Sequence, residues 1–357
     1  MRRTRFVSRL TPGAVGVVLL LGLHAAVPAG QSATLPTALP DREFWALTGQ
    51  LSEPNGAFRS NSGSPDNLLS NEIDVSTVAA SLAERVKPGG VYLGVGPEQN
   101  FTYIAAMRPR MAFVIDIRRG NLHLHLLYKA LFELSDTRTA FVARLFSRQR
   151  PSTLAAKASA AALMHAYLQM DALDEAGFTA NLRAVAEHLT KTRGFPMSAD
   201  DLAGIEYVYR QFHQFGPAIH YTSSIGGRRG AATYAAIMSA PDAMTGTERT
   251  YLATDDNFAF VKALQTRNLI VPVVGDFAGP QALRAVGAYV RARGATVSAF
   301  YVSNVEMYLK RNSVWPAFCA NVATMPLDAG SVFIRPGSGR SRSFAAMTAE
   351  TAGCAGR

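Results

Sequence analysis

The sequence lacks the signatures that would name a reaction. No G-x-x-x-x-G-K-[ST] occurs, so no P-loop cradles a triphosphate. No G-x-S-x-G elbow occurs, which excludes the usual α/β-hydrolase triad. No H-E-x-x-H occurs, and the one close histidine pair, His123 and His125, lies in a segment with helical periodicity. Side chains two apart on a helix point about 200° from each other, so this pair cannot share a metal, and no metal site is expected. Cysteine is scarce: Cys319 and Cys354 are the only two, and neither has metal-ligand spacing. In an oxidising compartment they can pair and tie down the tail; otherwise Cys319 is a buried thiol and Cys354 a free one. Charged residues make up only 17% of the chain. The net charge of +10 comes from scattered arginines and lysines, with no basic stripe interleaved with aromatics, so nucleic acid is not expected as a partner.

No apolar run reaches the roughly 20 residues that a membrane span needs. The longest, Ala14 to Val27, follows a basic stretch with Arg2, Arg3, Arg5 and Arg9. Val27-Pro28-Ala29 then offers small residues at a cleavage position. That order reads as a secretory signal peptide over residues 1–29 and predicts export to the periplasm or outside. A membrane enters only if the leader stays uncleaved, and a misassigned start would leave the protein cytoplasmic. Cleavage removes four positive charges and leaves a net charge of about +6.

What is present is a packed globular pattern, 48% hydrophobic. Residues 30–70 read as linker and N-terminal extension, with a turn at Leu51-Ser52-Glu53-Pro54-Asn55-Gly56 and a polar loop over 60–66. Helix is predicted over 75–86. Buried-type strands are predicted near 91–93, 111–115, 268–274 and 296–302, with a last short one at 332–334. A weaker strand is read at 218–222, followed by the basic loop 223–230. From 137 to 215 the pattern is helical, with Ser198 as a helix cap. Residues 336–357 read as a disordered tail. Alternating apolar strands and helices on both sides of a helical block imply an α/β fold over residues 71–335: a three-layer, mostly parallel, Rossmann-like sheet with a large helical insertion.

The stretch Gly89–Asn121 carries the functional expectation. A strand at Val91-Tyr92-Leu93 breaks at Gly94-Val95-Gly96-Pro97; a helical pattern follows, then a second strand ending on Asp116. Glycines after a parallel strand allow a tight turn and close approach to a ligand. Helix N–H groups beside them favour polar or anionic groups. Asp116 stands 20 residues after Gly96, close to the usual offset of about 20 for a ribose-binding acid. A third glycine would fall at Glu98 or Gln99, and Glu98 would repel a pyrophosphate. Adenosine with an uncharged or cationic tail is therefore expected over a dinucleotide.

Gly94-x-Gly96 with Asp116 resembles the class I S-adenosylmethionine-dependent methyltransferase fold. Longer stretches are similar to an uncharacterised bacterial protein family with that fold: LSEP at 51–54, VYLGVGPEQNFTY at 91–103, FVIDIRRGN at 113–121, NLIVPVVGDFAG at 268–279 and FYVSNVEMYL at 300–309. They span residues 51 to about 310. The resemblance implies a methyltransferase-type sheet and S-adenosylmethionine or a related nucleoside as ligand. Gly94, Gly96, Gln99, Asn100, Asp116 and Asp276 are the implied cofactor-binding residues, with Asp276 near the transferred methyl; no catalytic residue is implied. An exported, non-catalytic binding or scaffold protein on the same fold is the alternative, because the methyl donor is made in the cytosol.

Overall fold

The computed structural model describes residues 34–57, 66–152, 154–155, 157–170, 173–225, 230–335 and 344–354. The expected leader, the loop 60–66 apart from Asp66, part of the loop 223–230, and 336–343 and 355–357 of the tail lie outside them. The N-terminal helices are α1 (Asp41–Leu51) and α2 (Val75–Arg85). Then come β1 (Val91–Gly94), α3 (Gln99–Met107), β2 (Met111–Asp116) and α4 (Arg119–Glu133). The helical block follows with α5 (Arg138–Leu145), α6 (Ala160–Leu168), α7 (Glu175–Glu187) and α8 (Ala199–Phe215). The chain continues through α9 (Tyr234–Ser239), α10 (Asp255–Thr266), β3 (Ile270–Val274), α11 (Ala282–Arg291), β4 (Val297–Tyr301), α12 (Val305–Arg311) and α13 (Trp315–Ala323). It ends with β5 (Val332–Ile334), β6 (Phe344–Ala346) and α14 (Met347–Thr351).

The strands form one six-stranded sheet in the order β3-β2-β1-β4-β5-β6. All pairs are parallel except β5 with β6. β1, β2 and β3 are buried along their whole length, which is why they read as continuous apolar runs without alternation. The result is an α/β architecture with a mostly parallel sheet. The order reverses at β1, which lies between β2 and β4. In open sheets of this kind the ligand crevice lies outside the carboxyl ends of the strands at that reversal. Among the described residues no helix is long and apolar enough to cross a membrane.

One buried ionic cluster fixes the start of the fold. Glu133, on α4, accepts from Lys129 Nζ at 2.8 Å and from Arg193 Nε at 2.8 Å. Arg193 Nη1 reaches Asp41 on α1 at 3.0 Å, and Asn268 before β3 donates to the same carboxylate at 2.8 Å. Lys129 also stands 5.0 Å from the centre of the Phe44 ring. Burial pulls the Lys129 ammonium down to about 8 against the pull of Glu133. Glu133 favours its charged form, and α1 is fastened through Asp41 to Arg193 and Asn268 as well as by burial of Phe44 and Leu47.

The helical block is helical throughout its described elements, as the periodicity predicts. α8 opens on a capping box between Ser198 and Asp201 and packs against α4. Three local expectations differ from the structure. The segment 218–222 is not a strand: Gly216-Pro217-Ala218 makes a 3₁₀ turn, and only His220 makes a bridge, to Thr233. α13 has no counterpart in the sequence reading. The tail is structured over 344–354, where β6 and α14 close the edge of the sheet. That short tail has too little apolar surface to announce itself. It is held by cross-links instead: Cys319 pairs with Cys354, and Arg335 makes paired contacts with both Glu306 and Glu350.

The disulfide closes a loop with a sequence separation of 35 residues, which is worth about 3–4 kcal/mol in the chain-entropy account. Cys354→Ser, or reduction of the native protein, should lower the free energy of urea unfolding by about that amount. An unchanged urea midpoint would show that β6 and α14 hold without the bond.

Candidate functional site

The glycine turn after β1 is built as close-packed machinery. A Cβ on Gly94 would lie 1.9 Å from Asn100 Oδ1 and 2.8 Å from the Tyr92 hydroxyl. Those two groups are hydrogen-bonded at 2.8 Å, so the glycine makes room for them. Gly96 has φ of +76°, a left-handed conformation that suits glycine. The Asn100 amide donates to the carbonyls of Val95, Gly96 and Pro97 at 3.0, 3.2 and 2.7 Å. Both ends of that amide are therefore engaged, one by its own loop and the other by Tyr92 on β1. Asn100, expected as a cofactor contact, is a staple of the turn.

Gln99 differs. Its Nε2 donates to the Val95 carbonyl at 3.1 Å, while its buried Oε1 has no partner. Two more unmatched atoms come from the first two turns of α4. Asn121 Oδ1 and His125 Nδ1 are both buried without a partner, and their spacing of four puts them on one helix face. His125 Nε2 lies 2.9 Å from the Gly96 carbonyl, which can only accept. The proton is therefore on Nε2, and Nδ1 is left as an acceptor. Burial pushes His125 down to about 4, so the ring is neutral around pH 7. His123, two residues earlier, turns the other way and meets Asp201 at 2.9 Å. Among the described residues no group of three or more His, Cys, Asp and Glu is placed to hold a metal.

Asp116 sits at the end of β2, 4% exposed. It accepts from Arg118 three times, from the backbone N–H at 3.0 Å, Nε at 3.1 Å and Nη2 at 3.2 Å. Arg118 in turn donates to the Asp66 carbonyl at 2.8 Å. The expected ribose acid is thus placed beside the crevice and paired with a neighbour's guanidinium. Asp276 is placed elsewhere than expected. It follows β3, the strand at the end of the sheet, two strands away from the reversal at β1. Its carboxylate accepts from Ala278 N–H at 2.9 Å and so caps its own turn. Ser303 and Asn304 follow β4 and occupy the position beside the reversal.

Glu98 also departs from expectation. It does not face the crevice as a charge; it is fully buried and accepts from Ser70 N–H at 3.2 and 3.3 Å. Burial pushes it up to about 8, against the pull of its backbone hydrogen bonds. At neutral pH it is largely protonated, so it does not act as a fixed negative charge on the loop.

The sequence reading missed a whole component here: the N-terminal extension lies over this edge of the sheet. Glu53 N–H donates to the Val274 carbonyl at 2.7 Å. The Glu53 carboxylate accepts from Asp276 N–H at 3.0 Å, Gln281 N–H at 2.8 Å and Ala282 N–H at 2.8 Å. Gly279 is needed for that seat, since a Cβ there would lie 2.4 Å from Glu53 Oε2. Gly56 N–H then bonds the Ile117 carbonyl at 2.9 Å, and Asn55 caps Arg119 N–H at 2.8 Å. Further along, Ser70 meets Glu98, and Ser303 Oγ donates to Glu72 Oε1 at 3.2 Å. Residues 51–57 and 66–72 therefore contact the carboxyl ends of β1 to β4 or the loops that follow them. The signal was present in LSEP and DIRRGN, but their partners are far apart in sequence and no local pattern links them.

A separate cavity of about 260 Å³ lies in the helical block, lined by residues including Arg148, Met170 and Phe215. It shares no residue with the glycine turn.

This geometry carries no named activity. A family model, described as Domain of unknown function (DUF7790), matches residues 68–199 and 232–353, more than half of the chain. The chain belongs to that family. The matched residues include the glycine turn, Asp116, the polar face of α4 and the tail to Gly353, but not Glu53. No curated protein matches the chain.

The raised Glu98 makes a pH prediction. Its ordinary value is 4.5 and its folded value about 8. Between those values the folded protein keeps a proton that the unfolded chain releases. The stabilising contribution is complete below the unfolded value and is lost as pH rises through the folded one. Stability should therefore fall from about pH 5.5 to about pH 7.5 more steeply in the native protein than in Glu98→Gln, which keeps an acceptor for Ser70. Parallel urea-unfolding profiles for the two proteins would refute the buried-acid assignment.

Proposed function

We propose that this chain is a methyltransferase-like protein that binds S-adenosylmethionine or a related nucleoside at the carboxyl edge beside β1. The observation that carries it is the set of buried acceptors without donors around the glycine turn: Gln99 Oε1, Asn121 Oδ1 and His125 Nδ1. A buried acceptor left unmet costs about 1–3 kcal/mol, so three in one neighbourhood are an invitation to hydroxyl and amino donors. A nucleoside has both. Gly94 and Gly96 would let its tail approach the backbone, and Asp116 would accept from the ribose hydroxyls. When bound, the methyl donor supplies an electrophilic methyl group; the chain's part is to orient it and exclude water. The methyltransferase type of the sheet belongs to this reading, supported by β1–Gly94–Asp116 at the point of strand reversal.

Two observations favour the second reading, an exported non-catalytic binding or scaffold protein. Asp116 is already matched by Arg118, and the Cys319–Cys354 disulfide suits an oxidising compartment, where a cytosolic methyl donor is scarce. The disulfide also supports export by the leader.

Calorimetric titration of the purified protein with S-adenosylmethionine and with adenosine separates the two. Binding is expected, and Asp116→Asn should weaken it about ten- to a hundredfold with an unchanged circular dichroism spectrum. Absence of binding heat for both ligands with a folded protein would leave the scaffold reading.

A further inference from the structure

Two successive carbonyls of the glycine turn decide what their neighbours can offer. The Val95 carbonyl accepts from Gln99 Nε2 at 3.1 Å, which sets the orientation of the amide and leaves Oε1 as an acceptor without a partner. The Gly96 carbonyl accepts from His125 Nε2 at 2.9 Å, which sets the tautomer and leaves Nδ1 as an acceptor without a partner. Both side chains are 2% exposed. They come from two helices, α3 and α4, and both reach Gly96: the Gln99 amide nitrogen lies 3.7 Å from where a Cβ on Gly96 would stand. The Phe101 ring packs edge-on against the imidazole, with ring centres 5.5 Å apart, so packing as well as hydrogen bonding sets the direction of Nδ1. One turn earlier on the same face of α4, Asn121 Oδ1 is a third buried acceptor without a partner.

A single small group that answers both acceptors needs two donors. A hydroxyl brings one, a carbonyl oxygen brings none, and an amino group brings two or three. We propose that Gln99 and His125 form an amino-group subsite: Gln99 Oε1 and His125 Nδ1 together take the N–H donors of one amino group on the bound nucleoside. This deepens the nucleoside reading and rests on it. In such a ligand the amino group has two sources, the exocyclic amine of an adenine-type base and the ammonium of an amino-acid tail. Each lays the nucleoside on the glycine turn in a different direction, base first or tail first, so the source of the amine also fixes the pose. Burial keeps the imidazole neutral around pH 7, and Nδ1 therefore has its lone pair available to either source. A ligand lacking the amine leaves two buried acceptors unmet, a loss of about tenfold or more in affinity.

Nitrogen resonance spectroscopy on the full protein reads His125 Nδ1 directly, and calorimetry reads affinity. Two ligand pairs separate the sources. Adenosine is set against inosine, in which an oxo group replaces the base amine. S-adenosylhomocysteine is set against its desamino analogue, in which hydrogen replaces the tail amine. If the base amine is seated, adenosine should move the Nδ1 resonance and bind at least about tenfold more tightly than inosine. If the tail amine is seated, S-adenosylhomocysteine should do both relative to its analogue, and adenosine should leave Nδ1 unmoved. His125→Gln keeps an N–H for the Gly96 carbonyl and loses the acceptor at Nδ1. It should bring the two members of the responding pair within about threefold of each other. Gln99→Met, similar in length, removes Oε1 and gives the same readout if His125→Gln does not fold. Bound nucleosides that all leave Nδ1 unmoved, or equal affinity within both pairs, overturn the subsite while the nucleoside reading stands. Binding of none of the four overturns both.

Discussion

Every parallel strand that feeds a helix leaves backbone N–H groups with no partner inside either element, and a buried donor without an acceptor is costly. That requirement governs the carboxyl edge of this protein. The chain meets part of it with its own carboxylates, at the junctions after β2 and β3. One of them, Asp116, lies in the sheet's own loop and accepts from the Arg118 N–H. The other, Glu53, reaches back from a segment that precedes the first strand by almost 40 residues. The N-terminal extension is thus part of the working edge, although it contributes no strand.

This explains why the start of the chain is fastened so firmly. A carboxylate can cap a helix on another part of the chain only if the segment carrying it is held in place. α1 runs directly into Leu51-Ser52-Glu53, and its first turn is tied to Arg193 and Asn268 through Asp41. The Lys129–Glu133 pair beneath it is buried and would be costly to break from one side. The ionic cluster on α4 and the Glu53 seat therefore form one chain of dependence, running from the helical block through α1 to the junction after β3.

Much of this was legible in the sequence, for a definite physical reason. Strands buried on both faces are continuous apolar runs, so β1 to β4 announced themselves, and the Gly94–Gly96 turn with Asp116 at the next strand end fixed their relation. What was not legible depended on side chains meeting across long separations. Asn100 looks like a ligand contact until its amide is found closing the turn. Glu98 looks like an exposed charge until Ser70 is found above it. Asp276 looks like a residue beside a transferred methyl until β3 is found at the end of the sheet, two strands from the reversal, because the helical block hides where that strand enters the sheet. In the sequence His125 stands out only as half of the H-x-H pair with His123. Its real neighbour is the Gly96 carbonyl, and its i, i+4 partner Asn121 carries the more informative spacing. The tail was misread because a disulfide and an arginine with two carboxylates stabilise it, and neither leaves a periodic trace.

The chemistry of the edge and the chemistry of the tail bear on one another. At the edge the α11 start is closed by Glu53, while the turn after β1 is closed by the Asn100 amide. The disulfide suits a compartment outside the reducing cytosol. The departure from the three-glycine pattern then has a reason. A third glycine serves close packing of helix against strand beneath a pyrophosphate. At that position this chain carries Glu98, a buried acid that accepts from Ser70 and so ties the N-terminal extension to the glycine turn.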